Sequence, residues 1–387
     1  MGLTDRELTD RDLNRATLER QLLLRRERLD PAEAVRRLGG LQSQEPASPY
    51  LALWTRLAKF DPATLDAAFA DRTVVKASLM RLTLHTVHAA DWPAFHAAML
   101  ASLRASRLND RRFLGTGLTA EDADAQLPHL ARFLARPHTS GEIEQRLAER
   151  LGVTEPRAWW ALKMYAPLHH APTGGPWAFG AESSFQAAKG ELDPKRHTEA
   201  VHALLRSYLR AYGPATAQDF AQFTMLRQPL VRQALTELDG EVVPVKGPNR
   251  AALFDLAELQ ASGLPDAETP APPRLLPMWD GTLLGYADRS RIVPAEYRSL
   301  VIQRNGDVLP TLLVDGYVAG VWRPAEAGAG IEATAFRALD EDTWTGLAAE
   351  AVALRRFLDK RDPGLYRRYA HWWTKGMPRA EVRILAG

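Results

Sequence analysis

Cysteine is absent from all 387 residues, which excludes disulfides and thiolate zinc sites together. That absence fits a reducing compartment, and the expected location is the cytoplasm. No apolar run approaches the ~20 residues that a membrane-spanning helix needs, so no membrane partner is expected. Residues 1–33 are dense in Arg, Asp and Glu and have no apolar centre, so they are not expected to form a signal peptide. A glycine-rich loop that would cradle phosphates is missing, and no spacing of His, Asp and Glu reads as a metal site. Neither a cofactor nor a metal is expected. An excess of charge is missing too: 49 Lys+Arg against 47 Asp+Glu leave +2. Such a sum does not identify a nucleic-acid binder, because a basic face backed by an acidic one gives the same total. Arginine dominates the cations, however, and its fork suits phosphate better than an ammonium does.

With 46% hydrophobic and 25% charged residues, the chain has the composition of an ordinary globular protein. Its length implies more than one domain of about 100–200 residues. Apolar spacing from 11 to 29 predicts a first helix. Asp30-Pro31 caps a second, Ala32 to Leu38, which stops at Gly39-Gly40. A helix to Lys59 and another from Asp61-Pro62 to Phe69 follow. The alternating stretches Thr73–Ser78 and Leu82–His88 read as a hairpin.

The order then recurs. Leu127–Leu134, Ile143–Leu151 behind a Thr139–Glu142 capping box, and Trp159–Tyr165 precede a hairpin of Leu168–His170 with Pro176–Phe179 about Gly174-Gly175. Ala200–Tyr212, Gln218–Phe223 and Gln228–Glu237 precede Leu238–Val245 and Ala251–Leu256. Helices followed by a two-stranded wing, three times over, outline tandem winged helices. After a Pro- and Ala-rich linker at 263–273 the pattern turns to β: Leu275–Leu276, Leu283–Tyr286, Ser299–Gln303, Leu309–Val314, Tyr317–Arg323 and Glu332–Ala338, with hairpin turns at Asn305-Gly306 and Asp315-Gly316. A helix, Asp342–Leu358, ends it. The expected fold is α+β, predominantly α, with a C-terminal β-rich, barrel-like domain. The expected divisions are 1–115, 116–190, 191–262 and 274–387.

Chemistry concentrates at Gly40-Leu41-Gln42-Ser43-Gln44-Glu45-Pro46. In an extended segment, residues two apart face the same side, so the Gln42 and Gln44 amides can converge. Amides do not titrate; a pair orients water or cradles developing charge, or else caps the next helix or faces solvent. Glu45 points the other way. His85 and His88 lie three apart on a strand and make a poor metal pair, and His169-His170 reads as an exposed wing doublet. Trp159-Trp160 and Trp372-Trp373 read as core. Asp288-Arg289-Ser290-Arg291 offers two forks for phosphate, or is a surface turn.

Gly40–Gln44, Arg81-Leu82-Thr83-Leu84-His85, Leu276-Pro277-Met278-Trp279-Asp280 and Leu313–Arg323, in this order, resemble the AlkZ-like bacterial DNA glycosylases. These are also known as winged-helix DNA-binding proteins of the helix-turn-helix 42 type. The resemblance spans residues 11–375 and implies a concave basic channel for duplex DNA. Gln42 and Gln44 match the family's catalytic Gln-Φ-Gln, with Ser43 departing from its apolar middle position. The resemblance further implies a glycosylase acting on double-stranded DNA with N7-alkylated purines, bulky or crosslinked ones included; it is expected to be a cytoplasmic monomer, and monofunctional because no lysine sits beside the glutamines to form a Schiff base. Its role would be repair or self-resistance to an alkylating natural product. Arg81, His85, Asp280, Arg289 and Arg291 are expected at the DNA. The alternative is a non-catalytic winged-helix transcription regulator; against it, Gln228–Glu237 offers Arg232 as its one cation for a recognition helix.

Overall fold

The computed structural model describes residues 7–152, 156–189, 196–325, 330–374 and 377–385. Local caps set most helix starts. Thr9 and Asp12 form a capping box for α1 (Asp10–Arg20), and Asp30 accepts from the first turn of α2 (Pro31–Arg37). The apolar run beyond α1 is not helical as expected: Leu22 takes φ 56° and the chain leaves the helix with Leu22 and Leu23 buried. After β1 (Leu41–Gln42) come α3 (Ser48–Arg56) and α4 (Pro62–Ala70), then β2 (Val74–Ser78) and β3 (Leu84–His88), joined by a single 3₁₀ turn at Met80–Leu82. The long α5 (Trp92–Leu108) leads through α6 (Arg111–Leu114) and α7 (Ala120–Asp124) to α8 (Leu127–Phe133).

The second strand group contains β4 (His138–Thr139), α9 (Ser140–Leu151), α10 (Pro156–Tyr165), β5 (Leu168–Ala171) and β6 (Ser184–Ala187). β6 replaces the expected partner at Pro176–Phe179. That stretch is drawn into the core instead: Trp177 packs 5.3 Å from Tyr50 and Phe179 meets Phe69 edge-on at 4.9 Å. Next are α11 (His197–Tyr212), α12 (Ala217–Thr224) with a Thr216–Asp219 capping box, α13 (Gln228–Glu237), β7 (Val242–Lys246), β8 (Ala252–Leu256) and α14 (Ala257–Ser262).

Among the described residues the first two strand groups are not separate. They merge in one six-stranded sheet, ordered β1-β3-β2-β5-β6-β4, while β7 and β8 stand alone. The C-terminal part holds β9 (Arg274–Leu276), α15 (Arg298–Val301), β10 (Thr311–Val314), β11 (Tyr317–Pro324), β12 (Ile331–Ala335), α16 (Glu341–Asp359) and β13 (Glu381–Leu385). Its antiparallel sheet, β13-β12-β11-β10-β9, has two free edges among the described residues, so the expected barrel is an open sheet. Ser299–Gln303, expected as a strand, is mostly helical, the Ile302 amide donating back to the Arg298 carbonyl at 2.9 Å. Leu283–Tyr286 likewise follows a 3₁₀ turn, Gly281–Leu283.

Two large apolar cores result. One unites α2, α3 and α4 with the C-terminal sheet and α16; the other unites β2, α5, α10, α11 and α12. β1 is pinned where they meet. Gly40 adopts φ +93°, and a Cβ there would lie 2.9 Å from Val87 Cγ1. A glycine is needed for the backbone to close on β3.

Candidate active site

The register pairs Leu41 with Thr86 and Gln42 with His85, while Lys76 pairs with Thr86 and Ala77 with His85. Directly paired residues share a face of the sheet. Gln42, His85 and Ala77 therefore face one way, and Leu41, Thr86 and Lys76 the other. The strand ends at Gln42, which is buried; Gln44 lies in the bend before α3 and is exposed. Ser43 between them is buried, donating to the Leu41 carbonyl at 3.1 Å and sharing a 2.6 Å hydrogen bond with Thr86 Oγ1. A satisfied hydroxyl thus occupies the inward position that the family pattern gives to an apolar residue.

Arg81 reaches Gln42 from the turn between β2 and β3. Arg81 and Leu82 both take left-handed backbone (φ 52° and 58°), which turns the arginine back over the strands. Its Nη2 donates to Gln42 Oε1 at 2.6 Å and lies 3.3 Å from His85 Nε2. The guanidinium rests 4.9 Å over the Phe223 ring from α12. Its Nη1 is buried without a hydrogen-bond partner among the described residues. Burial, with the neighbouring Arg289 charge adding, lowers Arg81 to about 10, so it remains a cation at neutral pH. His85 is lowered to about 3, by burial first and by Arg81 second, and is neutral. Its Nδ1 lies 3.1 Å from the Thr83 carbonyl oxygen.

The carboxylate nearest in sequence is turned away, as expected. Glu45 accepts from Arg368 and, at 3.3 Å, from the Tyr369 hydroxyl. Lys76 is buried on the face opposite Gln42, its Nζ 4.4 Å from the centre of the Phe179 ring. Burial lowers it to about 8, with Glu45 acting in the other direction.

Of the remaining expected residues, only Arg289 comes near this group. It is half-buried, its Nε has no hydrogen-bond partner among the described residues, and burial and then the Arg298 charge lower its pKa. The Arg289 charge thus acts on Arg81, and the Arg298 charge on Arg289. Asp280 lies in the interior instead: its two oxygens accept from Arg56 Nη1 and Nη2, both at 2.8 Å, and one accepts from the Thr282 amide at 3.0 Å. Arg291 is buried as well, donating to the Pro214 carbonyl at 3.0 Å and lying 4.0 Å over Tyr286. Both link elements of the fold and neither is presented to a ligand.

His169 is not an exposed doublet member but a buried neighbour of Arg72, at 3.3 Å. Trp159 and Trp373 are core, as expected, whereas Trp160 and Trp372 are half-buried. Phe223 and Arg298 were not anticipated: Phe223 matters through a contact with Arg81, far away in sequence, and Arg298 through its charge acting on Arg289. Among the described residues no group of three or more His, Asp or Glu is placed to hold a metal ion. No described helix is long and apolar enough to cross a membrane.

The family described as "DNA glycosylase AlkZ-like" matches residues 35–357. A curated relative, the "Interstrand DNA cross-link repair glycosylase" of Streptomyces sahachiroi, is 28% identical over 332 residues, spanning 79% of this chain and 85% of that protein. The solved structure of "Streptomyces sahachiroi DNA glycosylase AlkZ" superposes with a TM-score of 0.78 at 23% identity, covering 91% of this chain and 97% of that one. The regulator alternative falls with these matches. The chain belongs to the AlkZ-like DNA glycosylase family and is a DNA glycosylase.

Proposed function

We propose that this glycosylase hydrolyses the N-glycosidic bond of cationic N7-alkylated purines in duplex DNA, with Gln42 and Gln44 as its catalytic pair. It works as a cytoplasmic monomer. The observation that carries this reading is that, among the described residues, no acid bonds to Gln42: its partner is Arg81, which also meets a neutral His85, and Glu45 is held elsewhere by Arg368. An N7-alkylguanine is already positively charged. It departs with the glycosidic electron pair as a neutral base and needs no proton from the enzyme. The protein's work is then to place a water against C1′ and to stabilise the oxocarbenium-like sugar, which fixed dipoles do without proton transfer. A neutral base such as uracil would need an acid that amides do not supply.

On this reading the three runs of helices, each closed by a strand pair, are winged helices that grip the phosphate backbone. Arg289 and Arg298 hold phosphates next to the lesion. Bulky adducts and crosslinked purines are substrates of the same kind, in keeping with the name of the Streptomyces sahachiroi relative. The test is release of free base from duplex DNA with a single 7-methylguanine, beside duplexes with uracil or 8-oxoguanine. Release from the first alone is expected, and Gln42→Ala and Gln44→Ala should each lose about 10²-fold or more in single-turnover rate. Efficient removal of uracil refutes the reading.

A further inference from the structure

The contacts around Gln42 fix which end of its amide is free. A guanidinium has donors and no acceptor, so the amide atom 2.6 Å from Arg81 Nη2 is the oxygen. A main-chain carbonyl only accepts, so His85 Nδ1, 3.1 Å from Thr83 O, carries the ring proton. The ring is neutral. Its Nε2 therefore holds a lone pair and accepts from the same Arg81 Nη2 at 3.3 Å. One nitrogen with two hydrogens meets two acceptors, and the Phe223 ring beneath the guanidinium removes its remaining freedom. Arg81 sits where the backbone is left-handed, a conformation that glycine or asparagine adopts at less cost. The backbone alone would favour another residue there; the contacts of the side chain are what an arginine adds.

We propose that Arg81 is a positioning residue that, anchored by the Nδ1-protonated tautomer of His85, locks the oxygen of Gln42 inward and leaves its amide NH2 as the group offered to the reaction. The two glutamines then have different tasks. Gln42 donates to a lone pair of the attacking water, and Gln44, exposed in the bend before α3, supplies the oxygen that accepts a water hydrogen. A second lone pair of that water is left to form the bond to C1′. No covalent bond is made to the protein, and the water's proton leaves to solvent.

The kinetic part of this inference rests on the proposed excision reaction; the tautomer does not, so the experiment has two arms. In the first, the full chain labelled with ¹⁵N-histidine is examined by long-range ¹H–¹⁵N correlation between about pH 5 and about pH 8, a window of roughly 1.5 units either side of an ordinary histidine. His85 should show a protonated Nδ1 and a bare Nε2 throughout. An Nε2–H tautomer, or an imidazolium in that range, overturns the proposal.

In the second arm, single-turnover release of 7-methylguanine is measured at saturating enzyme. Arg81→Asn, which suits the left-handed turn, should lose about 10²-fold in rate through misplacement of Gln42. Its thermal midpoint should be no lower, and its half-saturating concentration should be little changed. Gln42→Glu keeps an oxygen for Arg81 but has no NH2, and should fall by a similar factor; a carboxylate that works as well as the amide overturns the proposal. His85→Gln, whose side-chain oxygen can replace Nε2 as an acceptor, should retain more rate than His85→Ala. Arg81→Asn at the wild-type rate also overturns it. If the wild-type protein releases no base, the substrate reading fails, and the first arm still decides the Arg81–His85–Gln42 chain.

Discussion

Replacing Asp280 by Ala should damage the fold and leave the DNA interface intact. Asp280 and Arg56 are both buried, with 0% and 1% side-chain exposure, and are joined by two 2.8 Å hydrogen bonds. Arg56 also donates to the carbonyls of Gln21 and Ala52 and to Thr282 Oγ1. The pair thus ties α3 to the segment after β9. Removing the carboxylate strands a guanidinium among those carbonyls, and breaking a buried pair from one side costs about 3–5 kcal/mol. At about 2 °C per kcal/mol for a chain of this size, the thermal midpoint should fall by roughly 6–10 °C. The double variant Arg56→Met/Asp280→Leu removes both charges and should recover most of that loss, because well-packed apolar groups replace such pairs at little cost. The assay is thermal or urea unfolding of the two single variants and the double, with affinity for undamaged duplex measured well below the midpoint. A stable Asp280→Ala protein with weakened DNA binding would refute the structural role and return Asp280 to the interface.

Acidification should weaken the fold. His85, His96 and His169 are buried and lowered to about 3, 4 and 3, chiefly by burial. Since the folded values lie below the unfolded ~6.5, the penalty is absent above that pH and grows as pH falls towards 3–4, at up to ~1.4 kcal/mol per unit for each ring. Equal urea midpoints at pH 7 and pH 5 would contradict this. For DNA affinity, Arg289→Ala should make the log–log salt dependence shallower by about 0.9, one phosphate's share, whereas Arg291→Ala should leave it unchanged; the reverse pattern would move the phosphate contact. Borohydride should trap no covalent DNA adduct, and Lys76→Met should keep full excision, because Lys76 faces away from Gln42. A trapped species lost in that variant would make the lysine a nucleophile.

What could be read in the sequence was local. The Thr139–Glu142 capping box and the Asp315-Gly316 turn each depend on neighbours within a few positions, and both stand as expected. Asp30-Pro31 and Asp61-Pro62 open their helices for the same reason. Pro176–Phe179 has the composition of a strand, but Trp177 and Phe179 find aromatic partners near residue 50 and residue 69, and that packing outweighs propensity. β13 was missed because an edge strand of five residues is defined by its partner β12 more than by its own pattern.

The site divides along the same line. Gln42 was marked by a short motif, and Glu45 by its alternation. Asp280 and Arg291, by contrast, carry charges that suit either a ligand or an internal partner. Only the contacts with Arg56 and the Pro214 carbonyl, 224 and 77 residues away, decide between the two.

The pH dependence of single-turnover excision tests the central claim, catalysis by fixed amides without a titrating base or acid. The groups around Gln42 titrate far from neutrality, His85 at about 3 and Arg81 at about 10. The rate on 7-methylguanine duplex should therefore be flat from about pH 6 to about pH 9, outside the reach of a general acid or base matched to neutral pH. A limb near pH 8 would bring Lys76 into the chemistry, and a limb between about 6 and about 7 would bring in a histidine. Either would contradict the account.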